Sequence, residues 1–158
     1  MSNAQVIYVP IQQVTPLIPG VLLQHFSNGQ VKSKATTYGG FLHGAYTEWH
    51  SNGQVYMKVN YVNGLMCGPC ETYHPNGQIE RKLYFNTAGQ LEGPYAIYYP
   101  DGTPQTFTFF HNGQFHGTYR TFYPDGSLEV SILYENGKAL GKKVLIENGV
   151  AEVYDPSF

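Results

Sequence analysis

Runs of about six residues, rich in aromatic and β-branched side chains, alternate along the chain with short breaks of Gly, Asn, Asp, Pro and Ser. Residues 93–99 (Gly-Pro-Tyr-Ala-Ile-Tyr-Tyr) are one such run; Pro100-Asp101-Gly102 breaks it. A second run ends at Phe110 and is broken by His111-Asn112-Gly113. Short apolar runs bounded by turn residues predict strands. No window keeps helical spacing long enough to compete. In Tyr99-Pro100-Asp101-Gly102 the proline presets φ, the aspartate tolerates the next position and the glycine takes positive φ. Asn-Gly at 52–53, 63–64, 76–77, 112–113 and 136–137 is the strongest short-range hairpin signal. The pattern predicts an all-β fold: an antiparallel meander of about ten strands, in a twisted or curled open sheet.

The breaks are periodic. A turn glycine recurs at Gly29, Gly53, Gly77, Gly102 and Gly126, with spacings of 24, 24, 25 and 24. Two further series, Gly40 to Gly137 and Gly44 to Gly141, carry the same extra residue in the same unit, within Asn86-Thr87-Ala88-Gly89. Such a period is the mark of a repeat array, in which each hairpin relies on its neighbours for burial. Residues 26–149 are read as five units plus a partial sixth beginning near Asn148-Gly149. Residues 1–25 are read as a non-repeat cap, with Val6, Ile7, Val9, Ile11, Leu17, Ile18, Leu22 and Leu23 covering the first sheet edge. Residues 150–158 are read as a closing segment, Val150 to Tyr154 covering the other edge. A poorly covered edge predicts edge-to-edge homo-oligomers.

Two aromatic rows follow the third glycine series. Tyr46, Tyr95 and Tyr119 stand two residues after it; Trp49, Tyr73, Tyr98 and Phe122 stand five after it. The offsets differ by an odd number, so the rows are predicted on opposite faces. The glycine itself is expected to let a ring lie flat over the backbone.

Written out, the unit is G-x-Y-x-x-[YW]-[YH]-P-[ND]-G-[QTS] followed by Y-x-N-G, and it resembles the bacterial variant of the MORN repeat across residues 26–149. The resemblance implies an all-β repeat array. Several similar bacterial proteins carry antitoxin-type labels, and others are secreted effectors or scaffolds. Eukaryotic relatives are associated with membrane attachment and partner docking. One group forms the N-terminal module of a lysine methyltransferase, and no second domain that would house a catalytic centre is evident here.

Composition narrows the function classes. The chain has 158 residues, 14 Tyr, 9 Phe, one Trp and 18 Gly, with only 13% charged residues and a net charge of −2. The ring content argues against disorder, and nine basic residues supply little counter-charge for a nucleic-acid backbone. The same scarcity disfavours a membrane surface, although the resemblance keeps a lipid-associating module as the alternative. No Lys or Arg precedes Lys32 and no apolar run reaches membrane-spanning length, so a cytoplasmic protein is expected.

Cys67-Gly68-Pro69-Cys70 has the form of a thioredoxin motif, but that chemistry needs a helix N-terminus to activate the first thiol. His50 and His74 are equivalent positions about 9.5 Å apart, two strands at ~4.8 Å each, and form a ladder instead of a chelate. Asp101 and Asp125 alternate with Asn52 and Asn76 as turn formers. No catalytic residue, metal or cofactor is assigned. The expectation is a non-catalytic protein-interaction module, antitoxin-like or effector-like, with Trp49, Tyr73, Tyr98 and Phe122 binding the partner and His50, His74, Tyr99 and Tyr123 beside them. A thiol oxidoreductase at Cys67 and Cys70 is the least favoured reading.

Overall fold

The computed structural model describes the backbone of residues 18–147 and 150–154, and side chains as far as residue 140. Twelve strands run in chain order: β1 Gly20–His25, β2 Val31–Tyr38, β3 Phe41–Trp49, β4 Val55–Val62, β5 Leu65–Tyr73, β6 Ile79–Phe85, β7 Gly93–Tyr98, β8 Pro104–His111, β9 Gln114–Phe122, β10 Leu128–Glu135, β11 Lys138–Glu147 and β12 Val150–Tyr154. They form one antiparallel sheet in which spatial order equals sequence order. Appreciable contacts join consecutive strands alone, so the sheet is open and uncurled. No helix among the described residues is long and apolar enough to cross a membrane.

The strand count exceeds the expected ten by two: β12 falls in the segment expected to close the far edge, and β1 extends the array before residue 26. Gly20 stands 24 residues before Gly44. β1 pairs with β2 through the same turn as later hairpins, with Phe26 N–H to Gln30 O and Gly29 N–H to Phe26 O. Leu22 and Leu23, expected to cover an edge, belong to β1 and are exposed. Val6 to Leu17 and Asn148-Gly149 lie outside the described residues.

The two turns of each unit differ in geometry although both contain Asn-Gly. At His50–Gln54 a tight turn places Gly53 at positive φ, and Gly53 N–H donates to His50 O. Asn52 stays at negative φ and its Oδ1 accepts from Gln54 N–H. At Val62–Leu65 both Asn63 (φ 50°) and Gly64 (φ 83°) are positive, the two-residue turn that matches strand twist. The extra residue in Asn86–Gln90 converts this second turn to the first form, with Gly89 N–H donating to Asn86 O.

The third glycine series sits at bulges. Between the pairs Lys58↔Glu71 and Asn60↔Cys67, β4 advances two residues and β5 advances four. Gly68 lies in that excess at φ +81°, with nothing within 4 Å of where a Cβ would stand. The space where its side chain would stand is open, so what the glycine answers there is a backbone need, the positive φ. At the equivalent Gly44 a Cβ would meet Thr36 Oγ1 at 2.6 Å. That hydroxyl lies 2.5 and 3.2 Å from the carbonyls of His43 and Ala45, which flank the glycine.

A single layer has little interior. The covered residues are small: Ala35, Val59, Cys70 and Ala96, with Ser33, Thr72, Thr106 and Thr108. No large side chain among the described residues is wholly buried.

Gly68→Ala is expected to cost about 1–2 kcal/mol, the penalty for an L-residue in left-handed backbone. Gly44→Ala should cost more, because it also displaces the Thr36 hydroxyl. Urea unfolding of both variants checks the order.

Candidate functional site

Cross-strand register assigns the two aromatic rows to faces. Tyr46 opposes Ala35 and Val59, Tyr95 opposes Thr108, and Tyr119 opposes Ile132, all on one face. Trp49, Tyr73, Tyr98 and Phe122 alternate onto the other, as expected from the odd offset. On the tyrosine face, Tyr46 meets Tyr61 edge-on at 5.7 Å and Tyr119 meets Phe115 at the same distance.

The second face carries a feature that ring counting missed. One continuous line crosses the sheet: Lys34↔Thr47↔Lys58↔Glu71↔Lys82↔Ala96↔Phe107↔Arg120. Lys34, Lys58 and Lys82 recur every 24 residues, one per hairpin, and all are exposed. The periodic signal was present in the sequence, but sparse charge read as a bulk property hid it. The lysines interleave with the rings. Lys58 Nζ lies over the Tyr73 ring at 5.7 Å, within reach of a cation–π attraction. Where the next unit replaces lysine by Phe107, that ring packs edge-on against Tyr98 at 6.0 Å and Phe122 at 5.9 Å. From β2 to β9 the ribbon therefore reads Lys34, Trp49, Lys58, Tyr73, Lys82, Tyr98, Phe107, Phe122. All four rings of the original row are half-buried.

Glu71 is the acid within this line. It accepts a hydrogen bond from the Tyr73 hydroxyl at 2.5 Å. That bond, then burial, pushes the phenol up to about 12, so Tyr73 stays neutral across all ordinary pH.

Of the four residues expected beside the rings, three reach into the next unit. His50 Nε2 lies 2.7 Å from Tyr73 O, and His74 Nε2 lies 2.9 Å from Tyr98 O. Tyr99 Oη donates to Phe122 O at 2.9 Å. Each reaches the carbonyl at the end of the first strand of the next hairpin, so these side chains staple units together. A carbonyl can only accept, which puts the proton on Nε2 in both histidines. Tyr123 holds the matching position, and its N–H donates to Ser127 O.

A parallel staple separates Asn from Asp at the turns. Asn52 Nδ2 donates to Pro75 O, and Asn76 Nδ2 donates to Pro100 O, at 2.7 and 2.6 Å. Asp101 has no amide to offer. It accepts instead from the Thr103 hydroxyl and N–H, which hold its carboxyl below the usual range; Ser127 does the same to Asp125. Asn would therefore do more here than form the turn.

Cys70 has the wrong surroundings for a reactive thiol. Cys70 is among the most buried of the described residues. Burial pushes its thiol up, away from the thiolate. Both cysteines are free, and Gly68 in the bulge separates them on a strand.

His74→Ala is expected to lower stability by about 1 kcal/mol, the net worth of one hydrogen bond. Asp101→Asn should raise the Tm by supplying the missing amide toward Pro124. Because the folded carboxyl titrates below its unfolded value, its contribution is present at neutral pH and is lost as pH falls through the folded value. The Asn variant lacks this loss, so its advantage in thermal melts should widen on acidification.

No curated protein matches this chain. Three stretches that lie within this hairpin array, residues 42–63, 66–87 and 115–138, match the family model described as MORN repeat variant, and the chain thus carries MORN-variant repeats in at least three of its units.

Proposed function

We propose that the chain is a non-catalytic protein-binding module of the cytoplasm, and that the lysine-and-ring face is what it presents to its partner. MORN repeats suggest a binding or scaffold module. The single observation that carries the finer reading is the ribbon from Lys34 to Phe122, to which every strand from β2 to β9 contributes one ring or cation. Half-buried rings bring large contact area at low entropy cost. Exposed Lys34, Lys58, Lys82 and Arg120 stand on the same side with Glu71 as the acid in their line, which favours an acidic partner surface. The staples supply the rigidity such a surface needs, since positions held by neighbouring units lose little freedom on binding. An antitoxin-like or effector-like role is the narrowest form of this reading, with one dedicated protein as the partner.

The lysine line also bears on the lipid alternative that the resemblance keeps, and a single experiment separates the two. Immobilised chain is exposed to lysate of the source cells and, separately, to anionic vesicles. A retained protein should be lost when Tyr98 and Phe122 are both changed to Ala, while vesicle binding is absent at low salt. Retention unaffected by the double change, or vesicle binding with no protein retained, overturns the proposal.

A further inference from the structure

We infer that the lysine face binds an acidic polyproline II segment of its partner, with one turn of the ligand lying over each hairpin; this rests on the protein-binding reading and specifies its ligand. The argument is one of period. Lys34, Lys58 and Lys82 lie on alternate strands of one mid-sheet line. Alternate strands are about 9.5 Å apart at ~4.8 Å per strand. A ligand that meets successive hairpins alike must repeat at that distance. A β-strand laid across the sheet repeats a side every two residues, about 6.7 Å, and loses phase within one hairpin. An α-helix returns to a face after seven residues, about 10.5 Å, and slips by about 1 Å per hairpin. Polyproline II has three residues per turn at 3.1 Å each, about 9.3 Å, and stays in phase across all three lysines.

Chemistry agrees with the period. Polyproline II is read elsewhere by aromatic-lined grooves, because its backbone is already extended and rigid and its ring faces stack on Tyr and Trp. Here Trp49, Tyr73 and Tyr98 flank the lysine line at the same spacing. An open depression lined by Lys82, Tyr84, Pro94, Tyr98, Phe107 and Phe109 gives an apolar seat with a cation at its rim. Tyr84 and Phe109 are exposed there. A carboxylate at every third ligand residue meets one lysine per turn, and the two intervening residues face rings. β-Strand addition at the outer edge of β1 would instead run along the strands and leave the ribbon unread.

The test uses the whole chain and two dodecapeptides of equal composition. One is (Pro-Pro-Glu)4; in the other the four glutamates stand as two adjacent pairs. Fluorescence polarisation is expected to show the regular peptide binding about tenfold tighter or more, a difference of about 1.4 kcal/mol. Lys58→Glu with Lys82→Glu should weaken the regular peptide at least as much, as should Tyr98→Ala. Arg81→Glu, a matched reversal on the tyrosine face, should leave it unchanged. All four positions are exposed or half-buried, and circular dichroism confirms the fold of each variant. Equal affinity for the two peptides, equal loss with Arg81→Glu, or no binding of either peptide overturns the inference. If peptides fail while a retained protein still depends on Tyr98 and Phe122, the protein-binding reading survives and its ligand is of another shape.

Discussion

The hydrogen bonds from His50, His74 and Tyr99 to carbonyls one hairpin further along brace an array that, among the described residues, has no second layer to press it flat. In a sandwich, burial between sheets fixes the spacing of strands. Here both faces meet water, and the covered residues are alanine, valine, cysteine, serine and threonine. Hydrophobic burial per unit is therefore small, and the joints between units carry more of the load. The backbone ladder makes each joint, and the side-chain staples fix its geometry. The asparagine staples at Asn52 and Asn76 reinforce the joints braced by His50 and His74, and the change to Asp101 leaves the later joint to Tyr99.

The bulges belong to the same economy of a single layer. Each places two extra residues on the first strand of a hairpin, as between Lys58↔Glu71 and Asn60↔Cys67. Two extra residues, one full period of the strand, preserve the alternation of faces. The contact between Phe115 and Tyr119, which flank the bulge at Gly117, shows the face maintained across it. This is why the two ring rows remain on their own faces through successive units, and why the lysine line can stay continuous from β2 to β9.

Strands, turns and the opposition of the two ring rows were legible because they depend on local chemistry repeated every 24 residues. The unit beginning at Gly20 was less visible, since Leu22 and His25 stand where later units have Tyr46 and Trp49. The lysine series at 34, 58 and 82 was present in the numbering and was obscured by its sparseness. The burial of Cys70 was not legible, because it depends on register with the strands paired on either side, which sets Leu83 opposite it.

What the amino-acid order determined by itself is the meander: period, turn positions and the face of each row, all consequences of φ preferences and two-residue alternation. Tertiary structure alone decided the uses of the side chains. One Asn-Gly dipeptide makes two different turns, depending on whether a further residue sits between the strand ends. His50, His74 and Tyr99 became staples because their reach ends on a carbonyl 23 or 24 positions away in the chain. Lysines and rings became one ribbon because register, a property of paired strands and not of any single one, set them side by side.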